Sequence, residues 1–245
     1  MVNIWTAFLL LGLAAVPAFA QEKAKPTEPI ATDRPDFTES ALVVPYRWLQ
    51  IESGLTYATG RRYRSLGGPE TLLRYGIRRK TEIRAALPDY NDVRVRGRTM
   101  RGFGDAYLGA KFELGPLWGG TDLSLIPAVF LPSGSREFSS GAIDPEVKLC
   151  LSRELGGPWS LSAMEYIAFP TIDGRHVTTF QQTVSLGRDL GRGFAVFAEY
   201  AGTFSHEATA NHLFHTGVTY RPSRDSQFDV HGGNSFVAAG YSVRF

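Results

Sequence analysis

The residues able to do chemistry are few and badly placed for it. Ser133-Gly134-Ser135 lacks the G-x-S-x-G frame of a nucleophile elbow. His212 and His215 have the spacing that gathers a metal on a helix, but on a strand residues three apart point to opposite faces. His176 and His206 fall in connecting segments, and His231 lies near a strand end. Cys150, the single cysteine, has no disulfide partner and reads as a small inward-facing residue. No catalytic set, metal site or other cofactor site is expected, so the chain does not read as an enzyme. The chemistry lies in charges that alternate with apolar residues, and their meaning depends on the elements that carry them.

The 245 residues include 26 Lys+Arg and 24 Asp+Glu, 43% hydrophobic and 12% aromatic residues, and mean hydropathy is −0.12. After residue 20 no run approaches the roughly 18 apolar residues that a spanning helix needs. The aromatic content excludes gross disorder. A net charge of +2 gives no argument for nucleic acid. Residues 4–15 form an apolar stretch of signal-peptide length, and Ala18-Phe19-Ala20 provides the small residues that a signal peptidase reads. Residues 1–20 are therefore expected to be a cleavable export signal. Residues 21–45 read as an extended segment, and 46–245 as the folded body.

In that body the period is two. Leu49, Ile51, Leu55 and Tyr57 alternate with Gln50, Glu52 and Gly54, and Leu108, Ala110, Phe112 and Leu114 alternate with Tyr107, Gly109, Lys111 and Glu113. Twelve strands are predicted, starting near 46, 70, 81, 103, 121, 145, 159, 177, 194, 212, 227 and 236, with ten as the fallback. Alternation is blurred near 121–131, 159–169 and 177–186, where Gln182 falls on the apolar face. Short connections such as Arg79-Lys80, Leu155–Pro158 and Arg221–Ser226 alternate with longer ones such as Thr59–Pro69, Pro88–Gly102, Pro132–Asp144 and Gly202–Asn211. That pattern fits an antiparallel up-and-down transmembrane β-barrel, with tight periplasmic turns and longer outer loops. Trp118, Trp159 and Phe194 each follow a Gly-containing short turn, as one interfacial aromatic ring would. Tyr241, Val243 and Phe245 share a face of the last strand and resemble the signal read by the outer-membrane assembly machinery.

Under these registers Arg74, Arg78, Glu82, Arg84, Asp105, Lys111, Glu113, Glu146, Lys148, Glu199, Asp229 and Arg244 point into the lumen. They could form a salt-bridge network or a selectivity constriction, and the mixed signs favour the network. Two outer loops are basic, with Arg61, Arg62 and Arg64 in one and Arg94, Arg96, Arg98 and Arg101 in the other. Lipopolysaccharide phosphates, an anion-attracting pore mouth and a solvated loop all remain open as explanations. In the N-terminal segment, Asp33, Arg34, Asp36, Phe37 and Glu39 are candidates for a plug. Asp36 and Glu39 are expected to meet Arg74, Arg84 and Arg244.

Ala31-Thr32-Asp33-Arg34-Pro35-Asp36-Phe37-Thr38-Glu39-Ser40, Gln50-Ile51-Glu52-Ser53-Gly54, Gly102-Phe103-Gly104-Asp105 and Ala239-Gly240-Tyr241-Ser242-Val243-Arg244-Phe245 are similar to stretches of a bacterial family named for a meta-pathway of phenol degradation. The resemblance covers nearly the whole chain after the export signal. It implies an outer-membrane barrel, with uptake of aromatic solutes suggested by the pathway context. The expected function is a monomeric channel for passive uptake of small solutes, in contact with outer-membrane lipid and lipopolysaccharide. The alternatives are a structural or adhesive outer-membrane protein with a blocked lumen, and a soluble periplasmic lipocalin-like binder.

Overall fold

A computed structural model describes residues 26–245 except Asp36 and Trp118. The expected export signal therefore lies outside the described residues, as does Trp118 of the expected aromatic ring. Among the described residues there is no helix. The strands are β1 (Leu49–Gly60), β2 (Tyr63–Gly68), β3 (Leu72–Arg78), β4 (Thr81–Ala86), β5 (Tyr90–Val95) and β6 (Arg98–Phe103). They continue as β7 (Ala106–Leu117), β8 (Thr121–Leu131), β9 (Asp144–Gly156), β10 (Trp159–Ala168), β11 (Thr171–Ile172) and β12 (Arg175–His176). The last five are β13 (Thr179–Gly191), β14 (Phe194–Ser205), β15 (Ala208–Ser223), β16 (Ser226–Gly233) and β17 (Phe236–Arg244).

These elements make a closed 12-strand antiparallel barrel. Its closure pairs β1 with β17, from Gln50 opposite Arg244 to Ala58 opposite Phe236. Closure satisfies the backbone groups that an edge would leave bare. Leu55, Ile83, Leu108, Phe112, Val184 and Val237 are exposed on the outer surface, whereas Glu52, Arg74, Glu82, Arg84 and Lys111 are buried inside. A soluble β protein has the opposite arrangement.

The connections 59–69, 88–102 and 202–211 are not the loops that the sequence suggested. β2, β5 and β6 continue the wall strands β3, β4 and β7 outward beyond short breaks at Pro69, Pro88 and Gly104. Backbone bonds from Glu70 N to Gly54 O and from Gly104 N to Asp89 O knit across those breaks. Polar composition marks where a strand leaves the membrane and does not require the strand to stop. The segment 132–143, by contrast, carries no strand.

The blurred alternation also has a physical cause. Ile126 on β8 and Met164 on β10 are apolar yet face inward, where they pack with Cys150 and with Ala41 of the N-terminal segment. Gln182 does face outward, and its side-chain amide donates to Glu165 on the neighbouring strand at 3.3 Å.

Candidate functional site

One side of the interior is built from β1, β3, β4 and β7, whose inward positions carry Gln50, Glu52, Arg74, Glu82, Arg84 and Lys111. Each is no more than 2% exposed. Charges withdrawn from water to this degree need partners with good geometry. Arg74 Nε reaches Glu82 at 2.9 Å and its Nη1 reaches Glu52 at 2.8 Å. Within the wall, however, Arg84 has only Glu82 at 4.0 Å.

The missing counter-charges come from the N-terminal segment. It enters at the short-turn end, where Ile30 N donates to Arg224 O and Arg244 reaches Glu28 O. Asp33 then meets three cations, with Oδ2 at 3.0 Å from Lys111, 3.0 Å from Arg84 and 3.2 Å from Arg74. Glu39 pairs with Arg84 and lies 2.7 Å from Lys148 Nζ. The return leg gives Leu42 O to Arg74 and takes Glu82 Oε2 at 2.7 Å from Val44 N, then runs into β1. Between the two legs the segment crosses the lumen. The backbone N–H groups of Phe37 and Thr38 donate to Glu199 on β14 at 2.8 and 2.7 Å, and Thr38 meets Thr183 on β13 at 2.6 Å.

Glycines in the wall make room for these contacts. Gly54 and Gly240 sit opposite each other on β1 and β17, and a Cβ on either would overlap the Arg34 guanidinium. Arg34 occupies that notch between Glu70 at 2.7 Å and Asp229 at 3.5 Å. On β3 a Cβ at Gly76 would strike the backbone oxygens of Val44 and Pro45, so the return leg can cross only a residue without a side chain.

The predicted lumen residues therefore divide. Arg74, Glu82, Arg84, Lys111, Glu146, Glu199, Asp229 and Arg244 are buried, and Lys148 is nearly so, with 17% of its side chain exposed. Two are not lumen groups. Arg78 is exposed at the end of β3, where the register with β4 slips. Asp105 lies in the break before β7 and accepts from the backbone of Gly134 and Ser140, so it shapes the 132–143 loop. Glu113 keeps the inward face, opposite the buried Ser124, but near the short-turn rim, 3.9 Å from Lys80. Arg244 does not meet the acids of the segment. Its guanidinium is taken by Asp225 at 2.6 Å, because both lie at the short-turn end below Asp33.

Asp36 lies outside the described residues, and the acids that meet Arg74 and Arg84 are Asp33 and Glu39. Phe37 is 40% exposed and meets His215 edge-on at 5.0 Å. His215 is buried against Glu199 while His212 faces outward against Tyr200, so the two histidines are on opposite faces. Sequence reasoning missed Gln50, Glu52, Thr183 and His215. Gln50 and Glu52 were visible on the polar face of β1, whereas nothing local marks Thr183 or His215 as contacts of a distant segment. Tyr241 and Phe245 face outward on the closing strand, and Leu49 and Phe245 exchange backbone hydrogen bonds.

Burial alone would push the Glu39 carboxyl up, but Arg84, Lys148 and Lys111 outweigh it and hold the group well below the ordinary carboxylate range. A depressed folded pKa stabilises docking at every pH above the ordinary value, and that contribution is lost as pH falls through the folded value. Conductance of the reconstituted protein is therefore expected to stay level from about pH 8 to about pH 5 and to rise only below about pH 4. A rise between neutrality and pH 5 would contradict this assignment.

The opposite wall leaves space. A hollow of about 360 Å³ lies between Thr32, Arg34 and Pro35 of the segment and Ser160, Ser162, Ser185, Gly187 and Phe197 of β10, β13 and β14. It begins among the short turns at Pro158, Asp189 and Arg221.

A closed barrel with apolar residues outward and an ionic interior is an outer-membrane β-barrel. More particularly, the chain belongs to the family described as Putative MetA-pathway of phenol degradation, whose pattern it matches over residues 32–243. In fold it is similar to the COG4313 outer membrane channel from Pseudomonas putida F1, at TM-score 0.67 and 11% identity, covering 83% of this chain and 97% of that one. It is also similar to the KdgM porin, at TM-score 0.52 and 11% identity, covering 80% and 98%. No curated protein matches the sequence.

Proposed function

We propose that the protein is a passive channel for small solutes, aromatic ones among them, whose lumen is narrowed by residues 26–45 acting as a plug. The observation that carries this reading is the division of the interior. The plug is tied by ion pairs to the β1–β3–β4–β7 wall, while the facing β10–β13–β14 wall presents serine and glycine along an unfilled hollow. Diffusion needs no cofactor and no energy input. The aromatic preference rests on the family's description and on the exposed Phe37 ring at the plug apex. On the outer surface, the row Tyr241, Val243 and Phe245 is what the assembly machinery would grip. A second reading, a barrel with a closed lumen, draws on the contacts of Phe37 and Thr38 with Glu199 and Thr183.

Single-channel recording on a variant lacking residues 26–42 tests the proposal. The barrel still closes without them, since each wall strand pairs with two others. Conductance is expected to rise. Selectivity is expected to move towards anions, because Arg84, Lys111 and Lys148 lose Asp33 and Glu39. Equal traces from the two proteins would overturn the plug. A silent intact protein with a conducting variant would select the closed-lumen reading.

A further inference from the structure

The basic residues that the sequence placed in two separate loops come together on one face. β2, β5 and β6 extend the barrel wall outward as a small sheet whose register fixes which side each residue faces. Tyr57 on β1 faces outward, Leu66 is its partner, and Leu66 is opposite Asp92, which is opposite Arg101. Side chains directly opposite share a face, and those two residues apart along a strand return to it. Arg64 and Arg94, opposite each other and one step further out, therefore face outward too. So do Tyr90 and Phe103, one step further in, whose rings lie 5.5 Å apart.

That face reads in order along the strand. An outward aromatic pair marks the depth where amphipathic rings settle at the membrane interface. Next comes Asp92 with Arg101 at 2.7 Å, and then the Arg64–Arg94 pair, roughly 13 Å from the aromatic pair at about 3.3 Å per residue. Like charges directly opposite each other destabilise a sheet, and among the described residues neither Arg64 nor Arg94 forms an ion pair. Their compensation must come from outside the chain. At the tip, Arg96 N donates to Arg62 O at 2.9 Å, and Arg62, Arg64, Arg94 and Arg96 line a hollow of about 520 Å³. Because Arg64 and Arg94 point away from the lumen, their charge does not line the pore mouth.

We propose that Arg64 and Arg94, assisted by Arg62 and Arg96, form a binding site for the phosphates of an outer-leaflet glycolipid of the lipid A class. The guanidinium fork matches phosphate oxygens bidentately, and the position above an outward aromatic pair is where a headgroup phosphate lies. Arg98 is the internal control. It pairs with Val95, which is opposite Tyr63, on the inward face of the same sheet.

The test purifies the full-length protein, R64Q/R94Q and R98Q from nanodiscs of phosphatidylcholine with and without lipid A, and measures retained lipid A per barrel. Heat-modifiable gel migration checks that each barrel is folded. Retention by R64Q/R94Q is expected to fall roughly tenfold or more, as loss of charged hydrogen bonds dictates, while R98Q holds the wild-type level. Equal retention in all three proteins overturns the site. Equal loss in R98Q reduces it to non-specific charge, and overturns it as well. Arg64/Arg94-dependent binding of inorganic phosphate without lipid A retention would identify a free-anion site and refute the lipid assignment.

Discussion

Replacing Asp33 by Asn is expected to expel the N-terminal segment from a barrel that otherwise stays folded. The substitution keeps the shape and one acceptor, so Ser40 N can still donate to Oδ1, now at 3.0 Å. What it removes is the one charge within about 3 Å of Lys111, Arg84 and Arg74 together. Removing one partner of a buried ionic group costs about 3–5 kcal/mol because the other charges stay buried and uncompensated. The closed ladder of backbone hydrogen bonds does not involve Asp33, so the loss falls on docking and not on the barrel. Limited proteolysis of residues 26–45, run beside heat-modifiable migration, separates the two. Wild-type protection of the segment in Asp33→Asn would refute the assignment. Lys111→Leu removes a partner of the same carboxylate, so the double variant is expected to cost less than the two single changes added together.

The sequence reading located the wall more accurately than the plug, for reasons visible in particular residues. Alternation of Leu108, Ala110 and Phe112 with Tyr107, Gly109 and Lys111 records which face meets lipid, since each position along a strand answers to one environment. Twelve strands and their closure follow from that pattern repeated. Where it failed, two environments shared one face. Ile126 and Met164 face inward yet are apolar, because the inner face there packs on Ala41 and not on water. A period-two scan reads such a position as noise.

Strand ends were misjudged for a related reason. Continuations with polar residues and glycine, such as Tyr63–Gly68 and Arg98–Phe103, lie largely beyond the apolar band, so nothing in their composition separates them from loops. The place of Asp33 at the centre of the ion cluster has another origin. It lies in an irregular segment with no period to assign facing. Only its contact with Lys111, 78 residues away, marks it.

Leu108→Arg is expected to destabilise the inserted barrel by about 2–4 kcal/mol, the cost of a cation on the lipid face near the bilayer midplane. Its depth follows from the outward apolar residues along β6 and β7, which run from Phe103 across the short break at Gly104 to Leu114. That span is about 36 Å at roughly 3.3 Å per residue, or about 27 Å of height at a tilt near 40°, close to a bilayer's apolar thickness. Leu108 sits near its centre, 52% exposed between Ala85 and Val129 on the flanking strands. Lys111 is three positions on and faces the other way, so Lys111→Leu places no charge in lipid. Its penalty should appear as loss of plug protection, with membrane insertion close to wild type. Folding titrations in lipid vesicles measure the first effect and proteolysis the second. If Lys111→Leu abolished insertion while Leu108→Arg left it intact, the faces would be reversed, and the outward apolar surface that defines the barrel would have to be reassigned to a soluble core.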